Sequence, residues 1–191
     1  MLPSIDDWVV RRACAQAVAW SQGGLPPFRI AVNLSAVHNR GAALDDTIAR
    51  RLEETGLPAD RLELEFSERL LEEEDDPGEA MLRRLRGRGT RIVLDRFGRG
   101  HSELERLRTF PADALKIHGR FVRELPEEPR MARTLIGLAH SFGLEAIAGC
   151  VETAEQLSAL RSSGCDRAVG HAISVPVPAE RLTPWLLAKV E

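Results

Sequence analysis

The chain has 191 residues, of which 43% are hydrophobic and 29% charged, and its formal net charge at pH 7 is −3. This is the make-up of one globular domain with a sizeable core, and it excludes a disordered chain. No apolar run approaches a membrane span, the N-terminus lacks the basic-then-apolar order of a secretion signal, and the charge gives no footprint for nucleic acid.

In chain order, Ser4-Ile5-Asp6-Asp7 has the form of a capping box, and Trp8, Val9, Ala13, Ala17 and Trp20 follow at helical spacing until Gly23-Gly24 and Pro26-Pro27. Phe28 to Ser35 reads as a strand ending in Asn33 and Ser35, and a helix through Ile48 and Leu52 stops at Gly56. Leu62-Glu63-Leu64-Glu65-Phe66-Ser67-Glu68 alternates with period two and reads as a strand ending in carboxylates. The acidic run Glu72 to Asp76 reads as a solvated connection before a helix carrying Met81, Leu82 and Leu85. Arg91-Ile92-Val93-Leu94-Asp95 is a buried strand ending in a carboxylate, and Arg96-Phe97-Gly98-Arg99-Gly100 leaves it as a loop. A short helix around Leu104 and Leu107, a strand Ala114 to His118 and a helix from Met131 to Phe142 come next. The strand Glu145 to Cys150, a helix from Thr153, a strand Asp166 to His171 and a closing helix around Pro184 to Leu187 complete the chain.

Six strands alternating with helices predict an α/β fold with a parallel sheet. A β/α barrel is favoured over a doubly wound sheet, because Asn33, Glu65, Asp95, Lys116 and the residues after Ala148 fall at successive strand ends, which a barrel gathers at one mouth. No repeat, linker or low-complexity segment divides residues 1–191, so one domain is expected. Asn33, Glu65 and Asp95 are oxygen donors suited to Mg²⁺ or Mn²⁺; the plainer reading is that they cap loops. Lys116 is one of two lysines in an arginine-rich chain, and in an apolar strand it needs a partner, either Asp95 or a phosphate. His118 reads as a hydrogen-bonded residue opening a loop. Cys14, Cys150 and Cys165 form no C-x-x-C, so a reducing compartment and a cytoplasmic location are expected.

Five motifs taken together resemble the EAL domain family of bacterial cyclic-di-GMP phosphodiesterases and their inactive relatives. They are Val32-Asn33-Leu34-Ser35, Leu64-Glu65-Phe66-Ser67-Glu68, Asp95-Arg96-Phe97-Gly98-Arg99-Gly100, Leu115-Lys116-Ile117-His118 and Ala148-Gly149-Cys150-Val151-Glu152, in the family's order. The resemblance implies a TIM-like barrel with two divalent cations at the carboxyl ends of its strands and water attack on cyclic di-GMP to give linear pGpG. Carried over, Asn33, Glu65 and Asp95 stand at metal-ligand positions, Lys116 at that of a lysine assisting the water, Glu68 at that of the glutamate steadying the loop after Asp95, and Glu152 at that of the last glutamate of Ala-Glu-Gly-Val-Glu.

Against that pattern Arg96 replaces an aspartate, Gly149 the water-activating glutamate, His118 an aspartate and Val169 a glutamine, while Arg99 and His101 alter the loop. The Glu-Ala-Leu motif and about two preceding strands are not matched, so an EAL-type barrel incomplete at its N-terminus is expected. The expected function is a catalytically inactive regulatory or protein-interaction module in cyclic-di-GMP signalling, with Asn33, Glu65, Asp95, Lys116 and Glu152 vestigial and no cofactor beyond residual Mg²⁺ or Mn²⁺. The alternatives are a metal-independent cyclic-di-GMP receptor using Arg96, Arg99 and Lys116, and a residual weak phosphodiesterase. An open sheet edge would invite a protein partner or self-association.

Overall fold

The structure, a computed structural model, describes residues 2–34, 43–68, 77–98 and 104–188. Helix α1 (Leu2–Gln22) starts ahead of Ser4, so the Ser4–Asp7 box is not its entry. Pro3 fits a first turn, where its missing N–H has no partner to lose. The buried stripe of α1 is Asp6, Val10, Cys14, Ala17 and Trp20. Trp20 is held at both ends: its Nε1–H donates to Thr183 Oγ1 at 2.7 Å, and its ring is tilted against Phe28 with centroids 5.6 Å apart. Trp8, by contrast, is 62% exposed. Burial pushes the Cys14 thiol up to about 11, leaving it an inert packing group.

The chain forms two compact units. The first comprises Met1–Glu65, Asp75–Arg91 and Val177–Glu191, and the second Phe66–Glu74 and Ile92–Pro176. In the first, β1 (Ile30–Asn33) pairs in parallel with β2 (Leu62–Ser67), with Ile30 opposite Leu62 and Asn33 opposite Glu65. Helix α2 (Ala43–Thr55) ends at Gly56, and α3 (Pro77–Gly87) carries Met81, Leu82 and Leu85 inward. The Arg51 guanidinium grips Asp7 of α1 with two hydrogen bonds of 2.7 and 2.6 Å. Arg84 of α3 bonds Asp45 of α2, and that hydrogen bond outweighs desolvation to hold the Asp45 carboxyl below the ordinary range. Helix α8 (Ala179–Leu187) also belongs to this unit.

The period-two segment is a strand, as expected, and both of its faces are covered. Leu62 to Phe66 are all buried, Glu63 and Glu65 included, at 1% and 5% exposure. Parallel strands are covered on both faces, so alternation there marks which face receives polar partners rather than which face meets water. Glu63 has the Arg91 guanidinium 3.5 Å away as a counter-charge.

In the second unit β3 (Arg91–Phe97), β4 (Ala114–Ile117), β5 (Glu145–Ala148) and β6 (Arg167–Ala168) pair in parallel in that order. Val93, Ala114 and Ile147 form a fully packed cluster across them. Two aspartates frame the strand starts in the same way. Asp113 N–H donates to Ile92 O at 2.8 Å while its carboxylate accepts from Ile92 N–H at 2.9 Å. Asp166 N–H donates to Ala146 O at 3.1 Å while its Oδ2 accepts from Ala146 N–H at 2.7 Å and meets His140 Nε2 at 2.8 Å.

Helices α4 (Leu104–Thr109), α6 (Arg130–Ser141) and α7 (Ala154–Ser162) follow the expected pattern, and Thr153 and Gln156 close a reciprocal capping box on α7. Two elements differ from expectation. Helix α5 (Gly119–Arg123) is a single short turn that the sequence pattern does not show. Strand β6 is two residues instead of six: Val169 still makes two backbone bonds, to Ala148 O and from Val151 N–H, and the chain then turns at Gly170. Gly170 lies directly against the Val151 backbone, where no Cβ fits.

Partial burial raises the Asp166 carboxyl, but the Ala146 N–H and then His140 outweigh it and hold its pKa below the ordinary value. A lowered native pKa contributes stability above the unfolded value, which is lost as pH falls through the native one. Wild type should therefore exceed Asp166→Asn in urea midpoint at pH 7, and the gap should begin to narrow as pH falls below about 4, the ordinary aspartate value, and go on narrowing as the native carboxyl protonates. A gap that does not narrow at all on acidification would mean the carboxylate charge is not what Asp166 supplies.

Candidate functional site

Strand β3 does not stop at Asp95. Leu94 pairs with Leu115 and Phe97 with Ile117, so Asp95 and Arg96 together oppose the single residue Lys116. This is a β-bulge, which breaks the ladder and re-aims side chains. Arg96 takes the extra turn in the left-handed region, at φ 62°. The bulge sets Asp95 between two cations: Oδ2 lies 3.4 Å from Arg96 Nε, and Oδ1 lies 4.0 Å from Lys116 Nζ. Asp95 and Lys116 are mostly buried, whereas Arg96 is 64% exposed.

The floor beside Lys116 is Gly149, buried at the end of β5. A Cβ there would stand 3.4 Å from Lys116 Cε, an unstrained approach, so a longer side chain at 149 would lie along the lysine stem. Cys150 follows in the left-handed region at φ 60°. Its exposed thiol sits over Gly119, where a Cβ would come within 2.8 Å of Sγ. His118 closes β4 as the N-cap of α5, its Nδ1 accepting the Arg120 N–H at 3.1 Å. This is the role expected of a histidine opening a loop.

Of the other candidates, Asn33 and Glu65 are register partners in the first unit, Asn33 exposed and Glu65 buried, and Leu34 N–H donates to Glu65 O at 3.0 Å. In the second unit buried Glu68 accepts the Gly98 N–H on Oε1 at 3.2 Å. Glu152 is exposed, and its carboxylate makes no hydrogen bond or ion pair among the described residues; only its N–H is held, by Gln156 Oε1 at 2.8 Å. Arg99 and His101 lie outside the described residues. Arg120, which the sequence does not single out, donates to Gly98 O at 2.5 Å.

The donor set bears directly on a divalent cation. Each oxygen of Asp95 already faces a fixed or mobile positive charge, and among the described residues no three His, Cys, Asp or Glu side chains are grouped to hold a metal. As the side chains stand, Asp95 is a poor ligand for a dication, since guanidinium and ammonium repel it at short range.

A family model for the EAL domain matches residues 1–176. The chain belongs to the EAL domain family. It is 40% identical to an uncharacterised signalling protein of Caulobacter vibrioides over 98% of this chain and 23% of that protein. It is 37% identical to the cyclic di-GMP phosphodiesterase NbdA of Pseudomonas aeruginosa over 98% of this chain and 24% of that protein. The solved PaMucR phosphodiesterase in complex with c-di-GMP superposes with a TM-score of 0.88 at 34% identity, covering 94% of this chain and 74% of that one. The chain thus has the parallel α/β fold of EAL domains, a TIM-like barrel family, and spans about a quarter of the length of the curated relatives it matches. No helix among the described residues is long and apolar enough to cross a membrane.

The EAL pattern gives the left-handed residues a meaning. Cys150 stands where Ala-Glu-Gly-Val-Glu has its glycine, and the backbone keeps the glycine conformation at φ 60° under a side chain. Such a conformation costs about 1–2 kcal/mol for an L-residue. Cys150→Gly should raise the denaturant midpoint at unchanged slope, by up to about 1 kcal/mol after the entropy of the added glycine. A lower midpoint would show that the thiol's contact with Gly119 outweighs the backbone strain.

Proposed function

We propose that residues 1–191 are one catalytically inactive EAL domain, acting as a regulatory or protein-interaction module of bacterial cyclic-di-GMP signalling in the cytoplasm. The observation that carries this reading is Asp95 set between Arg96 and Lys116. Arg96 puts a positive charge where the family pattern has an acidic ligand, and Gly149 removes the group that would activate water beside Lys116. Losing a positioned general base typically costs ~10²–10⁴ in rate. In this reading Asn33, Glu65, Lys116 and Glu152 are vestiges of a hydrolytic site, and Glu68 retains its hold on the loop after Asp95. In this reading association would use the outer edges of β1 and β6, which pair with no further strand among the described residues.

A second reading is favoured by the same geometry. Arg96 and Lys116 supply two cations around one carboxylate, and an arginine fork can take over a cation's hold on a phosphate. That would make the domain a metal-independent receptor for cyclic di-GMP, with Arg99 as a further cation.

With Mn²⁺ in excess, no pGpG should form from cyclic di-GMP, and turnover near 1 s⁻¹ or above would refute the inactive reading. Calorimetry with cyclic di-GMP separates the rest: binding without Mg²⁺ supports the receptor, and binding that needs Mg²⁺ supports a residual enzyme.

Arg96→Asp removes a positive charge from Asp95 and adds an oxygen donor. Mn²⁺ affinity should rise, by tenfold or more, while hydrolysis stays absent because Gly149 still provides no base. An unchanged Mn²⁺ isotherm would show that Arg96 is not what excludes the cation.

A further inference from the structure

We infer that Arg120 is a positioning residue for the Asp95–Arg96 bulge, acting through the peptide units of Gly98. The inference rests on the reading of this bulge as the ligand-facing site.

Gly98 lies two residues beyond Arg96 and is gripped from three sides. Its N–H donates to the buried Glu68 carboxylate at 3.2 Å. Its carbonyl accepts from Arg120 Nη2 at 2.5 Å. Its α-carbon, at φ 90°, rests on the Phe121 ring, and a Cβ there would come within 2.9 Å of Cε2. The Arg120 guanidinium is 4.3 Å from the centroid of the same ring, so the ring both stops Gly98 and orients the donor that holds it. Arg120 itself is anchored where its side chain leaves the chain, since its N–H donates to His118 Nδ1. One further bond crosses the same point: His118 N–H donates to Phe97 O at 3.1 Å.

Bulges disturb the ladder around them, and here pairing resumes only at Phe97 with Ile117. Beyond the bulge the chain is fixed by that pairing, by the His118 N–H on Phe97 O and by the grip on Gly98. Glu68 supplies an anionic acceptor to one side of the glycine and Arg120 a cationic donor to the other, so each hydrogen bond is charge-assisted and stronger than a neutral one. Loss of the Arg120 bond leaves the Gly98 carbonyl without its donor, with Glu68 on the Gly98 N–H and His118 N–H on Phe97 O as the remaining hydrogen bonds, and loosens Arg96 and Asp95 relative to Lys116.

The test compares Arg120→Met, which keeps a long apolar stem over Phe121 without the donor, with Arg120→Lys, which restores a donor, and with Arg123→Met, which removes the same charge one turn-end away on α5. The ligand-free readout is amide exchange at Gly98 and His118, whose N–H groups bond Glu68 and Phe97 across the clamp. Exchange at both should speed up about tenfold in Arg120→Met, recover in part in Arg120→Lys and stay unchanged in Arg123→Met. The second readout is calorimetry with cyclic di-GMP in the absence of divalent cations, where Arg120→Met should weaken binding in step with its faster exchange. Unchanged exchange at Gly98 and His118 would overturn the positioning role, and weaker binding with unchanged exchange would make Arg120 a direct ligand contact instead. If the wild-type chain binds no cyclic di-GMP, the receptor reading fails while the exchange arm still decides the clamp.

Discussion

The site is organised by a mismatch of one residue between two strands. Asp95 and Arg96 occupy the space that Lys116 alone fills on the neighbouring strand. The extra residue is accommodated here by a local reversal of handedness, which Arg96 supplies at φ 62°. Aspartate and asparagine visit that conformation more readily than arginine, because a short polar side chain can bond its own backbone. The bulge therefore exerts its own demand on the sequence, independent of chemistry, and this chain meets it with a residue that adds positive charge instead of an acidic ligand.

Charge inside a sheet covered on both faces has to be answered locally. The same solution recurs through the molecule. Glu63 has Arg91, Glu145 has Arg167 at 3.1 Å, and Asp113 and Asp166 accept the N–H groups of the strands they frame. Asp95 follows this rule with Arg96 and Lys116 as its partners. A carboxylate answered by two cations from its own chain is a different chemical object from a carboxylate presented to a bound cation, even though its place in the strand is the same.

The departures from the EAL pattern are not independent of one another. Gly149 and Cys150 reverse the order of side chain and glycine, which empties the space along Lys116 and puts a thiol in a left-handed position. That thiol fits because residue 119 is glycine, and Gly119 in turn opens the short helix whose next residue is Arg120. Gly119, Gly149 and Cys150 thus pack together across the ends of β4 and β5.

Much of this was legible in the sequence. Six strands, their helices apart from the short α5, the strand-end positions of Asn33, Glu65, Asp95 and Lys116 and the family itself follow from periodicity and ordered motifs, because those signals are local and repeat along the chain. What the tertiary structure decided depends on what lies across the strand. Alternation in Leu62–Phe66 marks a strand, but only the cover on both sides decides that Glu63 and Glu65 are buried. The expected strand Asp166–His171 shrank to Arg167–Ala168 because Gly170 must turn against the Val151 backbone. The bulge at Asp95–Arg96 has no sequence signature, since a left-handed arginine is legible only once its partner strand fixes the register. Arg120 was invisible for the same reason: its partner is a carbonyl 22 residues away, and backbone acceptors leave no mark in a sequence.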